Sequence, residues 1–125
     1  MPDETTTIAD LRAVLVDFVA QRDWHRYHDA KNLAMSIAIE AAELMEHFQW
    51  VRNDELPGLL ANPDQRAAVI AELADVTCYV LSLANALNID LSTAVTDKVA
   101  RNARKYPVAE FLGRYFKPEA GEGAR

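Results

Sequence analysis

Four stretches of the chain carry apolar residues at helical spacing, and polar or helix-breaking segments separate them. Apolar residues that recur every three or four positions share one face of an α-helix. The first predicted helix begins near Thr7, whose hydroxyl suits an N-cap, and ends near Arg22. Its apolar face consists of Ile8, Leu11, Leu15 and Phe18. We expect this helix to pack through that face.

The second predicted helix is preceded by a connecting loop at residues 23–29, where polar and aromatic residues follow neither helical nor strand spacing. Asn32 is the expected N-cap, and we expect the helix to end near Phe48. Its apolar stripe consists of Leu33, Ile37, Leu44 and Phe48. Another stripe of the same helix consists of Glu40, Glu43 and His47.

The third predicted helix comes after a break at residues 53–58, where proline and glycine occur. Asn62 suits an N-cap and Pro63 the first helical position, so the helix begins there and is expected to end near Asn88. One of its faces carries Glu72, Asp75 and Tyr79.

A fourth helix is predicted to begin after Asp90, a suitable N-cap. It should end before Pro107, because the helical conformation is disfavoured for a residue that precedes proline. Lys98, Asn102 and Lys105 share one face of it. No strand-length alternating run is present. The pattern therefore predicts an all-α fold of the four-helix-bundle type.

The length of 125 residues suits one domain rather than two. We predict a domain at residues 1–112 and a loose, charged, glycine-containing tail at residues 113–125. Half of the residues are hydrophobic and few are glycine or proline, which is typical of a folded, largely helical chain.

The net charge, the cysteine content and the hydropathy exclude several classes of protein. A net charge of −6 argues against non-specific nucleic-acid binding. Cys78 is the only cysteine, so no intrachain disulfide forms. The N-terminus lacks the features of a signal peptide, and the uncharged stretch at residues 76–89 is too short to span a membrane. We expect a soluble, cytoplasmic protein that binds neither nucleic acid nor membrane.

Two acidic pairs carry the candidate chemistry: Glu40 with Glu43, and Glu72 with Asp75. Helical acids ordinarily lie on solvated faces. These four stand among apolar residues without a neighbouring Lys or Arg, and ionised carboxylates are costly there unless a cation or donors compensate them. Two pairs on separate helices can converge to present several oxygen ligands, so we predict a metal site.

The ligand types indicate which metal such a site would bind. Di-iron carboxylate bundles use Glu-x-x-His, which this chain lacks, since His47 follows Glu43 by four residues. An all-carboxylate set favours Mg²⁺ or Mn²⁺ over iron or zinc. Magnesium held by few carboxylates suggests a phosphate substrate that completes its coordination.

Other polar and aromatic residues could serve such a substrate. The cations that could neutralise a polyphosphate, or could simply be surface charges, are Lys31, Lys98, Arg104 and Lys105. Trp24 and Trp50 could stack on a nucleobase or pack in the core. His28 could hydrogen-bond a base or close its loop.

These residues resemble the MazG-like all-α nucleoside triphosphate pyrophosphohydrolases, and among them the dCTP pyrophosphatase branch. The hallmark is Glu-x-x-Glu, a spacer and Glu-x-x-Asp, seen here as residues 40–43 and 72–75. Further matches are Arg22-Asp23-Trp24, His28 with Lys31-Asn32-Leu33, Phe48-Gln49-Trp50, and Lys98, Asn102 and Lys105-Tyr106-Pro107. The resemblance covers about residues 18–107.

The resemblance implies Mg²⁺-dependent hydrolysis of a nucleoside triphosphate to the monophosphate and pyrophosphate, with dCTP or a modified dCTP as the expected substrate. The four acids match the metal ligands. The positions that match the base and sugar pocket are Trp24, His28, Trp50, Tyr79 and Asn102. Lys31, Lys98 and Lys105 match phosphate contacts. Such relatives are dimers or tetramers whose sites combine helices of more than one subunit.

The chain departs from some relatives at Ile39, where they carry an additional glutamate that activates water. The general base could then be a metal-bound hydroxide, Glu43, or Glu46 one turn later. Lys105 stands where the branch often has arginine, which keeps the charge but loses bidentate phosphate geometry.

Two other functions are compatible with the sequence. The same fold could act on dUTP or on a damaged purine nucleotide. Alternatively, the chain could form a non-catalytic helical dimer whose acidic pairs bind a structural cation or a partner protein.

Overall fold

The computed structural model describes residues 1–116 of the chain. Its helices are α1 (Ile8–Gln21), α2 (Ala30–Glu46), α3 (Leu56–Ala61), α4 (Pro63–Ala86), α5 (Leu91–Lys105) and α6 (Val108–Phe111). Two 3₁₀ turns lie at His25–Tyr27 and Asn53–Glu55. Residues 1–116 contain no strand, so the predicted all-α fold class is confirmed.

The start of α1 is fixed by a reciprocal cap between Thr7 and Asp10. The Thr7 hydroxyl accepts the Asp10 backbone N–H at 3.1 Å, and the Asp10 carboxylate accepts the Thr7 backbone N–H at 2.8 Å. The Asp10 carboxylate also accepts the Thr7 hydroxyl at 2.8 Å, and the two bonds that this carboxylate accepts lower the pKa of Asp10. The predicted N-cap at Thr7 is therefore confirmed.

The end of α1 turns the chain through Asp23, which has a positive φ of 51°. The Asp23 N–H donates to the Ala20 carbonyl and the Trp24 N–H to the Val19 carbonyl, each at 3.1 Å. This pair of bonds is the Schellman arrangement, in which a residue in the left-handed region ends the helix. It brings the Trp24 ring edge-on to Phe18, with centroids 5.7 Å apart.

The predicted cap of α2 at Asn32 is wrong, because Asp29 fills that position. The Asp29 carboxylate accepts the Asn32 backbone N–H at 2.9 Å. Asn32 therefore lies inside the first turn, and its side chain donates to the Asp29 carboxylate at 3.1 Å. The caps predicted for the later helices, Asn62 and Asp90, are confirmed.

Two short helices were not expected from the pattern. Pro57 lies in the first turn of α3, where a missing N–H costs no hydrogen bond, so the predicted break at residues 53–58 is partly helical. The four-residue α6 follows Pro107 directly. Neither is long enough to show a helical period in the sequence.

Contacts group the chain into one unit at Met1–Ile89 and a second from Asp90 onward. In the first unit α4 is central, because α1, α2 and α3 all pack against it. Its buried apolar residues are Val19, Leu33, Leu81 and Ala84. In the second unit Tyr106 and Phe111 meet edge-to-face, with ring centroids 5.2 Å apart.

The single domain at residues 1–112 stays a prediction. Of the predicted tail, residues 113–116 form a turn and bends, and residues 117–125 lie outside the described part of the chain.

The last turn of α4 ends like α1, through a residue with positive φ. Asn88 has a φ of 51°, and its N–H donates to the Asn85 carbonyl while the Ile89 N–H donates to Ala84. The Arg12 guanidinium of α1 then donates to the Ala84 and Ile89 carbonyls at 3.3 and 2.7 Å. A cation at a helix C-terminus is favourable, so Arg12 joins α1 to the end of α4.

By length and composition, α4 is the one helix within residues 1–116 that could cross a membrane. A core helix of a soluble protein has the same character. Glu72 and Asp75 lie in its middle, where ionised carboxylates would be costly in lipid. Its packing against α1, α2 and α3 covers part of its apolar surface, and Ile70 and Leu73 are 52 and 54 % exposed.

Candidate active site

The most extensive helix packing in the first unit, between α2 and α4, carries the acidic residues. Glu40 and Glu43 lie one turn apart on α2, and Glu72 and Asp75 one turn apart on α4. Because side chains three residues apart share a helix face, each helix presents its pair together.

Three of these acids converge. Carboxylate oxygens of Glu40, Glu43 and Glu72 all lie within 4.8 Å of one another. Glu40 and Glu72 are half-buried, whereas Glu43 is exposed. We call these three residues the carboxylate cluster. The predicted convergence of the two helices is therefore present, and one side of the cluster is open to solvent.

Two oxygens of the cluster lack a partner. Glu40 Oε2 and Glu72 Oε2 are buried without a hydrogen bond from the described residues. The salt bridges of residues 1–116 involve Arg26 and Arg52, and none reaches the cluster. Buried carboxylate oxygens without donors are costly, and a divalent cation would satisfy both. The donor set, all carboxylate oxygen, fits a hard cation.

The proximity of the acids also changes their proton affinity. Burial first, and then the neighbouring Glu43 carboxylate, raise the pKa of Glu40 to about 7. Burial and the charge of Glu43 likewise raise the pKa of Glu72. Near neutral pH the metal-free cluster therefore retains a proton, which a bound cation would have to displace.

Asp75 lies outside the carboxylate cluster but close to it. After burial and Glu43, its charge contributes to the raised pKa values of Glu40 and Glu72. Asp75 also lines a cavity of about 330 Å³. It is therefore the residue of α4 that connects the cluster with this cavity.

The cavity beside Asp75 is aromatic. Trp24, His28 and Tyr79 line it together with the apolar residues Phe18 and Val19. The same three rings line a more open cavity of about 460 Å³. The rings of Trp24 and His28 are nearly parallel, at 15°, with centroids 6.4 Å apart. We call the 330 Å³ space the aromatic cavity.

One carbonyl, that of Trp24, makes two hydrogen bonds within the loop at residues 23–29, which carries Trp24 and His28. The Trp24 carbonyl accepts the Tyr27 N–H at 2.9 Å and contacts His28 Nδ1 at 3.0 Å. Asp29 follows at once as the cap of α2. The segment predicted as a plain connecting loop is thus a short, internally hydrogen-bonded turn between two helix ends.

The other predicted substrate residues lie elsewhere. Lys31 is exposed on the first turn of α2, and Trp50 is 87 % exposed. Neither lines the cavities around His28. In the second unit, α5 carries Lys98, Asn102 and Lys105 on one face. Their roles remain predictions.

Two residues of α4 that were not predicted as site residues line the aromatic cavity. Cys78 belongs both to this cavity and to an apolar one of about 380 Å³ between α1 and α4, and burial raises the pKa of its thiol. Ser82 is buried and lies seven residues after Asp75. That spacing, two helical turns, was the signal in the sequence that could have placed Ser82 on the site face.

A family model described as MazG-like matches residues 35–115, which is more than half of the chain. The chain belongs to the MazG-like family. The resemblance inferred from the two acidic pairs is therefore confirmed. The matched segment of this MazG-like chain contains all four acids, Tyr79 and Ser82, whereas Trp24 and His28 precede it.

Curated relatives of this MazG-like chain carry the name dCTP pyrophosphatase 1. The protein from Bos taurus is 42% identical over 103 residues, which are 82% of this chain and 60% of the relative. The protein from Homo sapiens is 40% identical over 102 residues, or 81% and 59%. The chain thus spans about 60% of the length of these relatives.

A solved structure is also similar to this MazG-like chain. It is a crystal structure of a pyrophosphatase from Archaeoglobus fulgidus, with a TM-score of 0.76 and 40% sequence identity. The match covers 86% of this chain and 98% of the archaeal chain. The helical arrangement is therefore shared over nearly the whole length of that protein.

Proposed function

We propose that this chain hydrolyses a nucleoside triphosphate between the α and β phosphates, releasing the monophosphate and pyrophosphate. The expected substrate is dCTP or a base-modified dCTP. The observation that supports this most directly is the position of Asp75, which adjoins the carboxylate cluster and lines the aromatic cavity. A metal-bound triphosphate and its base would thus lie next to each other along α4.

Glu40, Glu43, Glu72 and Asp75 are the proposed metal ligands, with Mg²⁺ the expected ion and Mn²⁺ an alternative. The two unpartnered oxygens, Glu40 Oε2 and Glu72 Oε2, support this assignment. When bound, the ion would neutralise charge on the phosphate oxygens and on the leaving pyrophosphate. The four acids hold the phosphates indirectly, through that ion.

The remaining residues would bind and orient the substrate. Trp24, Tyr79 and His28 form the walls that receive the base. Phosphate contacts are assigned to Lys31, Lys98 and Lys105, and further contacts to the base and sugar to Trp50 and Asn102. Holding the reacting phosphate in one position lowers the entropic part of the barrier.

Glu43 is our candidate for the residue that takes the proton from the attacking water. It is the exposed member of the carboxylate cluster, so water reaches it directly. Glu46, one turn later, is exposed but lies outside the cluster. Glu43 would thus take the role of the glutamate that some relatives carry at the position of Ile39.

We further propose that the chain works as a homodimer or homotetramer. The 380 Å³ cavity between α1 and α4 is lined almost entirely by apolar side chains. At its edge Val14, Ile70 and Leu73 are 50, 52 and 54 % exposed. Exposed apolar patches of this kind mark interaction surfaces. A second copy that covered them would bury the same residues on both chains.

The cellular role would be to remove unwanted or damaged nucleotides from the soluble pool, or to balance that pool, in the cytoplasm. Release of pyrophosphate makes such a reaction effectively irreversible once the pyrophosphate is itself consumed.

The test is product analysis on the purified full chain with Mg²⁺. Natural and modified deoxynucleoside triphosphates are supplied one at a time, and ion-exchange chromatography separates monophosphate, diphosphate and pyrophosphate. We expect monophosphate and pyrophosphate in equal amounts, with chelation stopping the reaction. Glu40→Gln and Asp75→Asn should abolish release. Asp64→Asn, which changes an exposed acid on the first turn of α4 outside the cluster, should retain it.

Protein that leaves every nucleotide intact would instead support the non-catalytic helical dimer. Diphosphate and inorganic phosphate as products would contradict cleavage between the α and β phosphates. Full activity in Glu40→Gln or Asp75→Asn would remove that residue from the mechanism.

A further inference from the structure

Arg22, directly after α1, contacts Phe18 of that helix in two ways. Its guanidinium carbon lies 3.7 Å from the centre of the Phe18 ring, which is a close cation–π contact. Its Nη1 also donates to the Phe18 backbone carbonyl at 3.0 Å. The salt bridges of residues 1–116 involve Arg26 and Arg52 and do not include Arg22. The Arg22 guanidinium therefore contacts Phe18 rather than a carboxylate.

Phe18 in turn contacts the aromatic wall of a cavity. Its ring meets that of Trp24 edge-on, with centroids 5.7 Å apart, and both residues line the aromatic cavity. The Trp24 ring is nearly parallel to that of His28, which lines the same cavity. Arg22 itself lines none of the cavities around His28. It contacts the wall of the aromatic cavity without being part of it.

The motif Arg22-Asp23-Trp24 brings these contacts together in the sequence. Asp23 has the positive φ at which the chain leaves α1, and Trp24 then reaches the ring of Phe18, six residues earlier. Arg22 reaches the same ring from four residues away, one helical turn. The Phe18 ring is thus contacted by both the first and the last residue of the motif.

Burial in the core does not hold these two rings. Phe18 is 43 % exposed and Trp24 is 41 % exposed. An exposed side chain that a ligand must immobilise weakens binding by a factor of about 3 to 10, because its rotamer freedom is lost. A contact that already restricts the rings in the free protein removes part of this cost. The cation–π contact of Arg22 with Phe18 is such a contact.

We propose that Arg22 is a positioning residue for nucleotide binding, which holds Phe18 and, through Phe18, the Trp24 wall of the aromatic cavity. The inference rests on the proposed function, because the ligand of this cavity is the substrate nucleotide. Phe18 and Trp24 belong to the cavity and not to the carboxylate cluster. Loss of Arg22 should therefore weaken the ground state and the transition state equally, which raises KM and leaves kcat unchanged.

Calorimetry with non-hydrolysable α,β-imido dCTP, Mg²⁺ and the full chain tests this role. Arg22→Ala should weaken binding about 3- to 10-fold, and should raise the KM for dCTP by a similar factor at unchanged kcat. Arg22→Lys keeps the charge but loses the planar face, so it should recover only part of the affinity. Arg66→Ala removes the same charge from an exposed position of α4 that lines none of these cavities, and it should bind like the wild type.

A double-mutant cycle shows whether Arg22 acts through Phe18. In a Phe18→Leu background, which lacks the ring, Arg22→Ala should change the affinity by less than about 1.5-fold. The indole N–H resonance of Trp24 supplies a second measurement in the nucleotide-free protein, and the Trp24→Phe spectrum identifies it. This resonance should shift in Arg22→Ala and stay in place in Arg66→Ala.

Three results would each overturn the positioning role alone and leave the proposed function standing. They are wild-type affinity in Arg22→Ala, full recovery of affinity in Arg22→Lys, and an equal effect of Arg22→Ala with and without the Phe18 ring. A fall in kcat at unchanged KM, or an unshifted Trp24 resonance in Arg22→Ala, would do the same. A wild type that neither binds the analogue nor releases pyrophosphate overturns the proposed function itself.

Discussion

Arg12 and Asn85 exchange hydrogen bonds in both directions between α1 and α4. Arg12 Nε donates to Asn85 Oδ1 at 2.8 Å, and Asn85 Nδ2 donates to the Arg12 carbonyl at 3.1 Å. Asn85 also lines the 170 Å³ cavity beside His28, together with Leu15 of α1. The exchange therefore joins the two helices beside this cavity.

Removal of the Arg12 side chain should destabilise the first unit. Arg12→Ala leaves the Asn85 amide oxygen and the Ile89 carbonyl without the donor that Arg12 supplies, so we expect a loss of about 2 kcal/mol in the free energy of unfolding. Urea unfolding followed by circular dichroism measures this loss. Arg66→Ala, an exposed arginine on the first turns of α4, is the matched control and should change stability by less than about 0.5 kcal/mol. Equal effects of the two changes would contradict the bridging role.

Trp24 should contribute stacking energy to nucleotide binding. Trp24→Ala is expected to weaken binding of α,β-imido dCTP by about 1 to 3 kcal/mol, as for bases stacked on aromatic side chains. Trp24→Phe should recover part of this loss because it keeps an aromatic face. Thermal unfolding of both variants separates a lost stack from a loosened loop, since Trp24 also packs against Phe18. Unchanged affinity in Trp24→Ala would place the base elsewhere.

The apolar edge of the cavity between α1 and α4 should be an interface between subunits. A lysine at Ile70, now 52 % exposed, would put a charge into that contact, so Ile70→Lys should shift the protein toward the monomer. Light scattering coupled to size-exclusion chromatography measures the mass. Gln65→Lys adds the same charge to an exposed polar position of α4 and should leave the mass unchanged. A monomeric wild type would refute the proposed assembly.

Metal affinity should rise with pH across neutrality. The pKa of Glu40 is raised to about 7, so below that value a cation must displace a proton from the cluster. The apparent affinity for Mg²⁺ should fall by up to about tenfold for each pH unit below 7 and level off above it. Calorimetric titrations at pH 6, 7 and 8 test this. A pH-independent affinity would show that Glu40 is not a ligand.

Local signals account for most of the helix boundaries that the sequence predicts. Thr7, Asn62 and Asp90 act as caps because each satisfies backbone donors within three residues of itself, so short-range information is sufficient. The cap predicted at Asn32 was wrong because Asp29, three residues earlier, has equal capping chemistry and fills that position. The short α3 has no period to detect, and its packing against α4 gives it support that the sequence does not reveal.

The sequence predicts which acids pair on each helix, but it does not predict how the two pairs are arranged. Helical spacing places Glu40 with Glu43 and Glu72 with Asp75. It does not reveal that Glu72, rather than Asp75, closes the carboxylate cluster, because that depends on how α2 crosses α4. The sequence likewise does not predict that His28 Nδ1 contacts the Trp24 carbonyl, because this contact depends on how the loop folds.

Replacement of Glu40 by glutamine should stabilise the metal-free protein while removing its activity. In the wild type the folded-state pKa of Glu40, about 7, exceeds its ordinary value of 4.5, so folding takes up a proton between these values. The stability that this proton contributes is fully present below pH 4.5 and is lost as the pH rises to about 7. Glu40→Gln keeps the shape without the charge, and its amide can donate to the unpartnered oxygen of Glu72. In chelator, the variant should therefore melt at a higher temperature than the wild type at pH 8, and this advantage should shrink at pH 5.

With Mg²⁺ the order of the two melting temperatures should reverse, because the wild type gains a ligand that the variant binds weakly. Its kcat for pyrophosphate release should fall by at least about 100-fold. A variant that melts below the wild type in chelator at pH 8 would mean that repulsion among the carboxylates does not strain the metal-free fold.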